Sequence, residues 1–76
     1  MIELYVMETC PYCNKVRKFF DENGVNYEKK DVSNSKNHQE LMEIGGIDQV
    51  PFLKDDKIQM YESDDIIAYA KEKYCK

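Results

Sequence analysis

Four residues, Cys10-Pro11-Tyr12-Cys13, constrain this chain more than any other stretch. They stand where the hydrophobic period changes. Ile2, Leu4 and Val6 alternate as in a strand, whereas Val16, Phe19 and Phe20 recur at helical spacing, so Cys10 falls at the mouth of a helix. The first N–H groups of a helix lack intrahelical partners and its dipole places partial positive charge there, which favours a thiolate over a thiol. Cys10 is therefore the expected nucleophile. Pro11 suits the first helical turn because its missing N–H would have had no partner, and Cys13, one turn on, is close enough to form a short disulfide and act as the resolving thiol.

At 76 residues the chain has room for one hydrophobic core, and residues 1–76 are expected to form one domain with no more than a shallow surface groove for a ligand. Charged residues make up 34% of it and the net charge is -4, with no basic stripe, so nucleic acid is not an expected partner. No apolar run approaches the roughly 18 residues of a membrane span, and Glu3 and Glu8 interrupt any signal-peptide pattern, so neither a membrane nor export is expected and the location read from the sequence is cytoplasmic. Three cysteines, an odd number, argue against a structural disulfide framework and for redox chemistry or metal binding.

Taken in order, residues 2 to 7 predict a central strand, whose second face could also carry Tyr5 and Met7. The helix after it turns Lys15, Arg17 and Lys18 toward solvent and stops at Asn23-Gly24. A weaker strand over Val25 to Val32 is polar on both faces, as at a sheet edge, and would pair parallel with the first through the intervening helix. The polar turn Ser33 to Asn37 leads to a helix with a thin apolar stripe, Leu41, Met42 and Ile44, ended by Gly45-Gly46. Val50-Pro51-Phe52-Leu53, a turn at Asp55-Asp56 and Ile58 to Tyr61 predict a hairpin. Ser63 is a suitable N-cap for a last helix with Asp64 and Asp65 in its first turn and Ile66, Ile67, Tyr69, Ala70 and Tyr74 as its apolar face. The expected order is β-α-β-α-β-β-α, an α/β fold with a four-stranded mixed sheet flanked by three helices.

This order, with the Cys-Pro-Tyr-Cys tetrad opening the first helix and Val50-Pro51 opening the third strand, resembles the glutaredoxin family of the thioredoxin-like fold over essentially the whole chain. The resemblance implies a cis bond before Pro51, beside the active cysteine, with the Val50 backbone offered to an extended peptide. It implies glutathione in that groove: Val50 pairing with its cysteinyl part, Tyr12 flanking the sulfur, Ser63 and Asp64 at its γ-glutamyl end and His38 at its glycyl carboxylate. Met7 stands where many members carry a lysine, and Tyr61-Glu62 replaces their usual Gly-Gly. The stretch from Tyr61 to Ile67 is also similar to the glutathione-binding half of a glutathione transferase N-terminal domain, where a Glu-Ser pair receives the γ-glutamyl end.

The expected activity is that of a glutathione-dependent thiol–disulfide oxidoreductase, monomeric, reducing disulfide-containing or glutathionylated proteins. Glutathione is its co-substrate, with no metal and no tightly bound cofactor. One rival keeps the redox chemistry but takes electrons from thioredoxin reductase; another is a non-enzymatic module that senses redox state or holds a metal cluster between two copies. One C-x-x-C supplies two ligands where a closed zinc site needs four, and His38 and Cys75 would complete it only by a coincidence of folding. Cys75 itself reads as an exposed tail thiol, and His38 as a surface histidine at a helix start.

Overall fold

Strands and helices follow one another as β1 (Ile2–Val6), α1 (Pro11–Glu22), β2 (Tyr27–Asp31), α2 (Ser35–Ile44), β3 (Phe52–Asp55), β4 (Ile58–Met60) and α3 (Ser63–Tyr74) in a computed structural model that describes residues 1–75. The sheet order is β2-β1-β3-β4. β1 is thus internal and β2 lies at an edge, paired parallel with β1, while β1–β3 and β3–β4 are antiparallel. This is the thioredoxin-like arrangement, and among the described residues no helix is long and apolar enough to cross a membrane.

Period-two alternation in β1 sorts its side chains between two cores. Ile2, Leu4 and Val6 join Val16, Phe20, Leu53, Ile66 and Ala70 beneath α1 and α3, which pack against each other on that face. Tyr5 points the other way and packs with Val32, Leu41 and Phe52 beneath α2. In α1 the buried stripe is Cys13, Val16 and Phe20, the i, i+3, i+7 positions of one helical face. Cys13 is therefore a core residue by its place on that stripe, whereas Cys10, at the N-cap, remains partly accessible. Gly24, at a φ of 65°, ends the α1 turn as expected.

Antiparallel pairing decides which loops meet. β3 enters where β1 leaves, since Tyr5 pairs with Phe52, and β4 leaves at that same end, since Met60 pairs with Leu53. The turn before α1, the segment before β3 and the start of α3 consequently converge at one end of the strands.

Five local expectations are corrected. Ser63 is the first residue of α3 and not its N-cap; Glu62 occupies the cap position and contributes no side-chain hydrogen bond there. Asp55 ends β3 inside the protein instead of lying in the turn, and Asp56, with a φ of 55°, makes the turn. Met7 lies beyond the strand and is exposed. Arg17 is largely covered, lying against Glu8, because its long stem follows the protein surface. Cys75 is half-buried against the core under α1 and α3, since α3 carries it inward.

Candidate active site

Cys10 caps α1 with its own sulfur. Its backbone is extended, and Sγ accepts from the Cys13 N–H at 3.4 Å, the place an N-cap oxygen takes in other helices. The turn before it is closed by the Cys10 N–H donating to the Met7 carbonyl at 3.1 Å. Sγ also stands 4.0 Å from the Val50 carbonyl, across the junction that the β1–β3 pairing creates. The Val50–Pro51 bond is cis.

The two thiols differ sharply in setting. Burial pushes the Cys13 thiol up to about 12, and the hydrogen bond to Cys10 and the nearby Cys10 charge reinforce the shift. Cys13 is thus held protonated while Cys10 occupies the helix mouth. The carboxylate nearest this turn in sequence, Glu8, is drawn off by cations: Lys29 donates to it at 3.0 Å and Arg17 lies 3.6 Å away, and the Lys29 hydrogen bond holds its acid below the usual carboxylate range.

Val50, which the Cys10 sulfur approaches, also lines a groove of about 490 Å³, a volume suited to a small molecule, although neither Cys10 nor Cys13 is itself a lining residue. Tyr12, Val50, Pro51, Ser63 and Asp64 line it, so five of the six residues singled out for binding are brought together. His38 is not among them. It lies on α2 with Nε2 3.0 Å from Asp48 Oδ1, on the loop that leads to Val50. Cys75 follows the far end of α3, which at 12 residues is roughly 18 Å long, so it takes no part in the site.

Gln49, Tyr61 and Glu62 complete the lining. Sequence reasoning singled out none of the three as a binding residue, although Gln49 directly precedes the Val-Pro pair and Glu62 belongs to the transferase-like Glu-Ser pair. Tyr61 stacks on Phe52 with ring centroids 4.6 Å apart, donates its hydroxyl to the Ile47 carbonyl at 3.1 Å and accepts from the Ile47 N–H at 3.2 Å. Those bonds tie the 47–51 loop to the start of α3. A Cβ at Gly45 would overlap the Tyr61 hydroxyl, which explains a glycine at the end of α2 whose own backbone is αR and makes no conformational demand. Tyr61→Phe removes both hydrogen bonds but keeps the stack. It is expected to lower stability by about 1 kcal/mol and to speed amide exchange at Gln49 and Ile47; unchanged exchange would show that the loop is held by other contacts.

Lys15 is the remaining addition. It reaches from α1 to Asp64 at 2.7 Å and brings a cation to the start of α3.

Residues 4–76 match the family model of the glutathione S-transferase N-terminal domain. Glutaredoxin 1 of Rickettsia prowazekii is 31% identical over 74 residues, which cover 93% of this chain and 78% of that protein. The chain belongs to the glutaredoxin family. Glutaredoxin 3 of Escherichia coli K12 is a second relative of this family, 28% identical over 68 residues, 88% of this chain and 82% of its own. Among solved structures, human glutathione transferase theta-2 in complex with glutathione and an unknown ligand superposes with a TM-score of 0.86 at 27% identity, over 97% of this chain. The chain spans 32% of that transferase. That transferase thus shares the fold of this chain over 97% of its length.

Proposed function

We propose that the protein is a glutathione-dependent thiol–disulfide oxidoreductase in which Cys10 is the nucleophile and Cys13 the resolving thiol. The observation that carries this reading is the asymmetry of the pair: Cys10 is partly exposed at the N-terminus of α1 and beside the groove, while Cys13 is buried on the stripe of α1. Family membership and the glutathione named in the transferase complex support the choice of thiol.

In the proposed reaction the Cys10 thiolate attacks one sulfur of a disulfide, and the other sulfur leaves as a thiolate and takes a proton. Cys10 then carries a mixed disulfide. Either Cys13 gives up its proton and attacks Cys10, releasing the second thiol, or external glutathione does so. Two glutathione molecules return a Cys10–Cys13 disulfide to the dithiol and leave as glutathione disulfide. α3 supports the binding step: unlike α1 and α2, it has no side chain capping its first turn, so its N–H groups are open to the α-carboxylate of a γ-glutamyl group. Val50 presents main-chain groups to the cysteinyl part, Tyr12 covers the sulfur, and Glu62 and Asp64 supply anionic partners for the ammonium. We further propose a reducing, cytoplasmic setting and action as a single domain and monomer on protein disulfides.

The test is reduction of a small glutathione mixed disulfide with glutathione and glutathione reductase, run in parallel with thioredoxin reductase as sole donor. Turnover with glutathione is expected. Turnover with thioredoxin reductase alone would replace this reading with that of a thioredoxin-reductase-coupled redoxin. Because burial holds Cys13 protonated, glutathione is expected to do most of the resolving on such substrates, and Cys13→Ser is expected to stay within about threefold of the native rate. A collapse of the Cys13→Ser rate would show that the intramolecular step is obligatory.

A further inference from the structure

Three cations lie on α1. Lys15 and Lys18 are exposed, and Lys15 is engaged with Asp64, whereas Arg17 is largely covered. Arg17 follows Cys13 by four residues, the spacing that stacks two side chains on one helical face. Its Nη1 lies 3.6 Å from Glu8, which precedes the helix, so the side chain runs back toward the N-terminus, over the turn that holds Cys13. Nε is buried there and has no hydrogen-bond partner among the described residues.

A guanidinium keeps its charge at any pH a protein meets, and a buried donor without a partner leaves that charge free to meet an anion formed nearby. Glu8 neutralises it only in part. Its carboxylate is shared with Lys29 at 3.0 Å and is 58% exposed, so water and salt screen it. Around the same guanidinium stand Asp21 of α1, Asp31 at the end of β2 and the phenol of Tyr27.

The group that such a charge serves is Cys13. Burial pushes its thiol up to about 12 and the Cys10 sulfur adds to the shift, while the Met7 backbone and the Arg17 charge act against it. The Cys10 charge is gone once that sulfur is bound in a mixed disulfide. At the moment of closure, burial is then opposed by the Met7 backbone and Arg17.

We propose that Arg17 is a positioning residue for the closing half of the reaction: its guanidinium supplies the positive charge beside which Cys13 becomes a thiolate and attacks Cys10. This rests on the oxidoreductase reading and assigns a residue to the step which that reading gives to Cys13.

The experiment is a single turnover of the reduced protein with a mixed disulfide of glutathione and a fluorescent reporter thiol, stopped with acid at intervals for mass analysis. The Cys10 thiolate attacks the glutathione sulfur, the glutathione–reporter bond breaks, and the reporter leaves as its thiolate. Cys13 then gives its proton to solvent and attacks Cys10; the Cys10–Cys13 bond forms as glutathione leaves and takes up a proton. Two electrons pass from the dithiol to the starting disulfide. Reporter release reads the first step, and loss of the glutathione adduct reads the second.

Arg17→Met keeps most of the stem and removes the charge. It is expected to slow closure about fivefold at pH 7, since a lower thiolate fraction is only partly offset by a stronger nucleophile, and to leave reporter release within about twofold. Arg17→Lys, which keeps the charge, is expected to close within about twofold of the native rate. Unchanged closure in Arg17→Met overturns the proposal. So does equal slowing in Arg17→Met and Arg17→Lys, which would make the role one of shape, or equal slowing of both steps, which would make it one of Cys10 or of the fold. Glu8→Gln, an exposed change that removes the counter-charge, is expected to speed closure about twofold; unchanged or slower closure overturns the proposal even where Arg17→Met does not fold. Reporter release without closure in the native protein removes the step and the proposal with it, whereas no reporter release at all overturns the oxidoreductase reading itself.

Discussion

Cys10→Ser is expected to lower turnover of a glutathione mixed disulfide by about 10³-fold or more. A serine hydroxyl can cap α1 as the sulfur does, so the fold is expected to survive. What is lost is the nucleophile, because a hydroxyl is not ionised at neutral pH and forms no disulfide. Cys13 cannot take over: it lies in the core and burial pushes its thiol up to about 12. The measurement is the coupled glutathione assay on a variant whose thermal transition matches that of the native protein. Retained turnover would remove Cys10 from the proposed mechanism, and turnover retained by Cys10→Ser but lost in Cys13→Ser would exchange the two roles.

Asp55→Ala is expected to cost about 2 kcal/mol through loss of its charge-assisted hydrogen bonds, against a total stability of roughly 4 to 11 kcal/mol for a chain of this size. Asp55 is 1% exposed at the end of β3 farthest from the groove. Its Oδ2 accepts from the hydroxyls of Tyr69 and Tyr74, each at 2.6 Å, and from Lys73 at 3.1 Å, while the ammonium of Met1 lies 3.6 Å from Oδ1. Burial pushes the acid up, but the Tyr69 and Tyr74 hydrogen bonds and Lys73 outweigh it and hold the carboxyl well below the usual carboxylate range. Removing the carboxylate takes a shared acceptor from Tyr69, Tyr74 and Lys73, of which Tyr74 and Lys73 can turn to water, whereas its presence clamps the C-terminal half of α3 to the sheet.

The pH dependence follows in sign. With a folded value depressed below an unfolded one near 4, the unfolded chain binds the proton more tightly, so the contribution is complete above about pH 4 and is lost as pH falls below that toward the folded value. Native stability is therefore expected to fall below about pH 4 with a slope approaching 1.4 kcal/mol per pH unit from this group. Asp55→Asn should be less stable at neutral pH and flatter in acid. Denaturant melts at pH 7 and pH 3 check both; equal slopes would show that other carboxylates govern the acid limb.

Elements whose cause is local were legible in the chain itself. Alternation in β1, the 3.6-residue stripe of α1, the Asn23-Gly24 stop and the polar edge character of β2 each arise from neighbours within a few residues, and the element order followed from them. The tetrad at a strand-to-helix junction likewise places Cys10 at the mouth of α1, because the change of hydrophobic period there is itself local. Residue type favours Ser63 as the cap, yet the first helical bond of α3 runs from the Ile66 N–H to the Glu62 carbonyl, so the helix starts one residue earlier than the residue type suggests.

What tertiary structure alone decided is which distant groups meet. Antiparallel pairing of β1 with β3 and of β3 with β4 brings Cys10, Val50 and the start of α3 to one end of the strands, and that adjacency exists only once the register is set. The same register carries Asp55 to the opposite end of the strands, where Tyr69, Lys73 and Tyr74 reach it from a helix that begins at the groove, so an acid beside a turn in sequence is buried in space. The position of His38 in the chain points it toward the ligand, whereas the loop folds Asp48 against its ring and His38 is not among the residues that line the groove. Periodicity and capping are properties of the backbone's nearest neighbours, whereas a binding site is a set of long-range distances that exists only after the sheet has closed.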